Sequence, residues 1–383
     1  MKQLFTNGKF ILYDKQNDTF SLYEGDMICE SNRIYKTNKK YENVDIINLN
    51  NKVVMPTLVN AHLHLGETVF RPLPKKMTLL EYIAYTEDYN KAHKENLNEI
   101  WLESAKTTLE ESKKHGVMAV NTIRGNNILA DFDINSLSGY PIMKSEKLKD
   151  FIAKGVEGFE NFYTDCKNKG IKPGVFLHSF YTNDSVSFDM ATKCYNLHPD
   201  TFFCTHLAED NESEEKVVKM WGKRSIQILH ESNLLNDSTI LIHGNTLNDD
   251  ELKLMASTHS SLVLCPASAN NLKTKLIDID RLIKHKVNFC IATDGLASGE
   301  SANLLHQTSL IKNVDSVTLL KAITINPANA MMLDNEILTD GSRCNMIVLE
   351  DFEYKDTEDI IHKIVNNKVK INKVYYNGKL INN

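Results

Sequence analysis

Two hydrophobic periodicities alternate along the chain. Continuous apolar runs of strand length recur at 53–61, 117–123, 173–180, 200–209, 238–244, 260–266 and 287–295, rich in Val, Ile, Leu and Phe. Between them, apolar residues spaced three and four apart predict helices over 77–115, 147–169, 184–196, 212–232, 248–258, 276–285 and 301–333. Gly116 and Gly170 stand where helix C-caps are expected. The stretch 124–150 shows neither period. Buried strands alternating with amphipathic helices make parallel βα units. This many in series predict an α/β chain with a (β/α)8 TIM-type barrel over 53–340. The pattern changes at both ends. LFTNGKFILYD, TFSLYEGDMICE and NRIYKT alternate apolar and polar residues near the N-terminus. RCNMIVLE and KIVNNKVKINKVYYNGKLINN do so near the C-terminus. One small β-sandwich domain built from 1–52 and 341–383 is the expectation.

Composition narrows the function without naming it. Of 383 residues, 42% are hydrophobic and 25% charged, ordinary values for a globular protein. A net charge of −6 gives no basic footprint for nucleic acid. No apolar run reaches the roughly 18 residues of a membrane span. The N-terminus, MKQLFTNGKF, turns polar too soon for a signal peptide. The seven cysteines are odd in number and contain no C-x-x-C, which fits a reducing cytoplasm and neither a disulfide framework nor a thiolate zinc site.

The candidate chemistry lies at strand ends. In a parallel barrel, reacting groups gather at the C-terminal ends of the strands. VVMPTLVNAHLHL ends in His62-x-His64, and residues two apart on a strand face the same way. His206 ends TFFCTH, His243 ends TILIH and Asp294 ends FCIATD. A lone histidine is usually a packed or surface residue. Metal-type side chains on several separate strand ends point to a metal centre. His178, ending VFLH, reads equally as structural or as a substrate contact. The remaining histidines fall in helices or loops and read as surface residues.

These motifs resemble the amidohydrolase superfamily, in its branch of cytosine deaminase-like and adenosine-type deaminases. PTLVNAHLHL, THLAE (205–209), LIHG (241–244), LCPASANNL (264–272), ATDGLAS (292–298) and TINPANAMML (324–333) follow in that branch's order. Within it, LHSFYTND (177–184) and DGLAS resemble the methylthioadenosine/S-adenosylhomocysteine deaminase pattern. The resemblance implies one divalent ion, zinc by preference and iron, manganese or nickel as alternatives, held by His62, His64, His206 and Asp294. It implies that Asp294 also takes a proton from the attacking water, that Glu209 moves protons to the ring and leaving ammonia, and that His243 orients the attack. Substrate contacts from Glu81, His178 and Ser298 follow from the same resemblance. The position taken by a carbamylated lysine in two-metal relatives looks like His178 here, which favours a single ion.

The expected activity is hydrolytic deamination of a nucleobase-like ring, most simply an adenine nucleoside derivative. Aminodeoxyfutalosine, guanine, pterin and cytosine remain open, as does a triazine chlorohydrolase-like displacement. Glu209 favours departing ammonia, because chloride needs no proton. A metal-free scaffold would lack some of these ligands. A nucleic-acid deaminase would carry H-x-E…P-C-x-x-C. The partner is therefore a small molecule rather than nucleic acid or membrane, and homodimers are common in the branch. The segment 124–172, where related enzymes hold the sugar substituent, is short and offers Arg124 as its polar candidate.

Overall fold

The computed structural model describes residues 2–145, 148–333 and 336–382. They divide into two compact units, Met1–Val59 with Glu110–Ala119 and Asn303–Asn383, and Asn60–Leu109 with Val120–Ala302.

The first unit contains an eight-stranded sheet drawn from both ends of the chain. Its central strand, Lys2–Asp14, pairs antiparallel with Thr19–Glu30 and parallel with Asp45–Asn48 and Val53–Pro56. Val53–Pro56 then pairs antiparallel with Met346–Leu349, which continues the sheet through Ile371–Tyr376 and Lys379–Asn382. Alternation along these strands buries Phe5, Phe10, Met27, Ile34, Val54, Met346 and Tyr375 in one cluster. The amphipathic helix Thr357–Val365, capped by Asp356, interrupts a tail expected to be all strand. Its signal was legible, with Ile360, Ile361, Ile364 and Val365 on one helical stripe.

The second sheet carries the chemistry. Its order runs Phe289–Ile291, Ser261–Leu264, Thr239–His243, Phe202–Leu207, Lys172–Ser179, Asn135–Ile142, Val117–Ile123, Leu58–His64 and Asp294–Gly295. Phe289–Ile291 pairs parallel with Ser261–Leu264, and Asp294–Gly295 pairs parallel with Leu58–His64. One nearly continuous run of chain thus joins both ends of the order, as a TIM-type barrel requires.

Several expected elements divide. The apolar run 53–61 splits between the two sheets, with Val53–Pro56 in the first and Leu58–His64 in the second. The helix expected over 77–115 is Leu79–Ala92 and Leu97–Lys114. That over 212–232 breaks at Gly222, which caps Asn211–Trp221 in the left-handed region at φ 73°. The helices expected over 301–333 are Leu304–Ser309, Ser316–Ala322 and Ile325–Ala330. The unread stretch 124–150 contains the buried strand Asn135–Ile142. Gly139 and Pro141 mask its period. A Cβ on Gly139 would stand 2.6 Å from Phe176 Cβ on the neighbouring strand, so the residue that hides the strand also lets it pack. No helix among the described residues is long and apolar enough to cross a membrane.

Candidate active site

His62, His64, His206 and Asp294 converge, with one ligand-type atom from each lying within 4.8 Å of all the others. Parallel pairing brings them there. Asp294 stands opposite Leu63, between the two histidines of His62-x-His64. His206 Nε2 lies 3.3 Å from the Nε2 atoms of both His62 and His64. Asp294 Oδ1 lies 3.1 Å from His62 Nε2 and 3.2 Å from His64 Nε2. A tetrahedral ion with bonds of about 2.0–2.1 Å sets its ligand atoms about 3.3 Å apart. The spacing fits such an ion.

Neighbouring groups fix the ligand atoms. His206 Nδ1 donates to the carbonyl of His178 at 2.7 Å, which turns the Nε2 lone pair toward the cluster. Ser268 Oγ donates to Asp294 Oδ2 at 2.7 Å. Asn60, on Leu58–His64, and Thr293, just before Asp294–Gly295, exchange hydrogen bonds of 2.8 and 3.3 Å next to the ligands. Asp294 holds φ +64° and His243 φ +74°, a region that non-glycine residues seldom adopt.

Electrostatics puts each group in a useful form. Burial pushes the His62 and His206 imidazoles down, so they are neutral and free to ligate. Burial alone would raise Asp294, yet hydrogen bonds from His62 and His64 hold its carboxyl well below the usual range. Glu209 is 6% exposed. Burial, reinforced by the charges of Asp294, Asp210 and Glu67, pushes its carboxyl well up, toward the protonated form. His243 Nε2 sits 3.5 Å from Glu209 Oε1, and burial pushes His243 down to about 4. His243 also groups with Cys265 and Asp294. Burial raises the Cys265 thiol, which leaves it a poor ligand beside the imidazoles.

A cavity of about 520 Å³ opens over this floor. His178, Ser298 and Arg124 line it. Glu81 does not. It is exposed, and its carboxylate accepts from Thr78 N at 2.7 Å while Thr78 Oγ1 accepts from Glu81 N, closing a capping box on the helix Leu79–Ala92. The T-x-x-E spacing of Thr78 and Glu81 was the available signal.

Glu67, a further carboxylate lining the cavity, was not anticipated. Its Oε1 lies 3.5 Å from His64 Nδ1, and its Oε2 accepts from Tyr82 Oη at 2.7 Å. Glu67 packs against Gly295, where a Cβ would fall 1.7 Å from Oε2. Tyr181 and Trp101 also line the cavity and were not singled out, although Tyr181 lies within LHSFYTND.

The amidohydrolase family model matches residues 53–381. The chain belongs to the amidohydrolase family. It is 25% identical over 371 residues to a 5-methylthioadenosine/S-adenosylhomocysteine deaminase of Pyrococcus horikoshii, covering 90% of this chain and 86% of that one. Over 366 residues it is 25% identical to a 5′-deoxyadenosine deaminase of Methanococcus aeolicus, covering 88% and 84%. Its fold is similar to that of an adenosine deaminase from Xanthomonas campestris solved with bound zinc, with TM-score 0.83 and 19% identity over 99% of this chain and 92% of that one.

Proposed function

We propose that this amidohydrolase removes an amino group from the purine ring of an adenine nucleoside derivative by hydrolysis, releasing ammonia. The observation that carries the reading is the convergence of three imidazoles and one carboxylate at tetrahedral spacing, on the floor of a cavity that also holds the buried carboxyl of Glu209. The names borne by the relatives from Pyrococcus horikoshii and Methanococcus aeolicus support the nucleoside class.

His62, His64, His206 and Asp294 hold the metal in this reading. Zinc suits their nitrogen-rich, low-coordinate set and is bound in the Xanthomonas campestris enzyme. A bound divalent ion makes water acidic enough to attack near neutral pH. Asp294 accepts the water's proton at Oδ2, the oxygen that faces Ser268. Glu209 gives its carboxyl proton to the ring nitrogen beside the attacked carbon; the proton held by Asp294 then passes to the leaving amine, and the added oxygen's remaining proton returns Glu209 to its acid form as the carbonyl forms. His243 Nε2 donates to the oxygen as it adds to that carbon. Water in and ammonia out balance the exchange of amine for carbonyl. The retained acid favours an amine leaving group over chloride. Seven free, buried cysteines fit a reducing cytoplasm.

The test is ammonia release by zinc-reconstituted protein from methylthioadenosine, 5′-deoxyadenosine, S-adenosylhomocysteine, guanine and a chlorotriazine. Turnover of an adenine nucleoside is expected. Turnover confined to guanine or the triazine would overturn the reading.

A further inference from the structure

A neutral imidazole ligates through Nε2 only while its Nδ1 carries the proton. In a buried ring that proton needs an acceptor, and the acceptor fixes both the tautomer and the ring plane. His206 has one in the carbonyl of His178, 2.7 Å from Nδ1. His64 has one in Glu67, whose Oε1 lies 3.5 Å from Nδ1. His62 is the most deeply buried of the three, at 0% exposure, and its Nε2 faces Asp294 and His206. Its Nδ1 meets no hydrogen-bond partner among the described residues. A buried donor in that state is costly and calls for an explanation.

Asn121 offers the matching atom. It lies on Val117–Ile123, the strand beside Leu58–His64, and is fully buried. Its Nδ2 donates to the carbonyl of Ala61 at 2.9 Å, and so is bonded to the peptide that joins Ala61 to His62. Nδ2 also reaches Cys204 Sγ at 3.4 Å. Cys204 stands three strands further along the sheet, two residues before His206, so the amide points into the barrel interior. A carbonyl only accepts, and Ala61 therefore decides which end of the amide is nitrogen. The other end, Oδ1, meets no partner among the described residues. A donor and an acceptor without partners thus stand on neighbouring strands, on either side of one peptide. Satisfying Ala61 alone would require only the donor and would leave Oδ1 as an added cost.

We infer that Asn121 is the positioning residue for His62: Oδ1 takes the Nδ1–H hydrogen bond of the imidazole across one buried water, while Nδ2 holds the peptide that leads into it. The inference rests on the reading of His62, His64, His206 and Asp294 as the metal centre, and it gives the third imidazole the support that the other two have. Two polar partners suffice to hold a buried water. A bridge of this kind keeps the Nε2 lone pair of His62 on the ion.

The probe is zinc, with affinity read by competition with a chelating dye and ligand geometry read from the visible absorption of the cobalt(II)-loaded protein. Asn121→Leu keeps the size of the side chain and removes both polar ends. Zinc affinity should fall ~10- to 100-fold, and the cobalt bands should shift and weaken as the His62 ring turns. Asn121→Asp loses the donor to Ala61 just as leucine does, but keeps an acceptor for His62. It should hold zinc as tightly as the parent or more so, with the parent's cobalt spectrum, as a carboxylate behind a ligating imidazole does. An amide that serves only the Ala61 carbonyl predicts similar losses in both variants, and that result overturns the inference. A leucine variant with parental affinity and spectrum overturns it as well, and would leave the metal centre standing. If the leucine variant does not fold, the aspartate variant decides alone: parental affinity supports the role and lost affinity refutes it. A parent that binds no zinc overturns the metal-centre reading and the inference with it.

Discussion

Replacing Glu209 with glutamine isolates one proton. The side chain is buried and keeps its shape in Glu209→Gln, so the neighbouring His243, 3.5 Å away, retains a polar partner. Burial and the charges of Asp294, Asp210 and Glu67 push Glu209 toward its neutral, protonated form. The exchange is therefore neutral for neutral, and stability should change by less than about 1 kcal/mol. Glutamine can still donate a hydrogen bond, but it cannot transfer a proton to the ring. A positioned general acid contributes roughly 10²- to 10⁴-fold. At about 1.4 kcal/mol per decade, that is about 3–5 kcal/mol of barrier. The assay is kcat for ammonia release alongside metal content by emission spectrometry. The account expects kcat to fall at least ~100-fold with one ion still bound per chain. Turnover within a few-fold of the parent would refute the acid role. Loss of the ion would make Glu209 a ligand.

Two further outcomes follow from the neighbouring carboxylates. Glu67→Gln weakens the polar contact that orients His64 at Nδ1 and should lower metal affinity ~10- to 100-fold, read by competition with a chelating dye; unchanged affinity would remove Glu67 from the support of the metal site. Glu81→Ala opens the capping box on Leu79–Ala92 and should lower the thermal midpoint while metal content and the rank order of substrates stay as in the parent; a changed rank order would return Glu81 to the substrate.

The parts of the site legible in the sequence are those set by strand periodicity. His62-x-His64 faces one way because alternate strand residues do, and His206, His243 and Asp294 each close an apolar run. Parallel pairing then fixes their neighbours, as with Asp294 beside Leu63 and His243 beside Leu207. The parts that were missed depend on contacts between distant segments. Glu67 lies beyond the strand end, and its turn toward His64, packed against Gly295, is set by the fold rather than by the local sequence. Trp101 reaches the cavity from the helix Leu97–Lys114 because Gly66 has no side chain. Neither glycine carries a local signal that distinguishes it from a turn residue. Glu81 was misplaced for the opposite reason: a local cap accounts for it fully. The strand Asn135–Ile142 escaped notice because Gly139 and Pro141 lower its strand propensity, while packing against Phe176 outweighs that loss.

The most direct test of the account is a metal titration read by turnover. Metal-stripped protein is given zinc from zero to two equivalents, and ammonia release from methylthioadenosine is followed at each step. The account predicts that turnover rises linearly and levels off at one ion per chain, and that His206→Ala abolishes the rise. Turnover that needs a second equivalent, or that survives in His206→Ala, would contradict a single centre on His62, His64, His206 and Asp294.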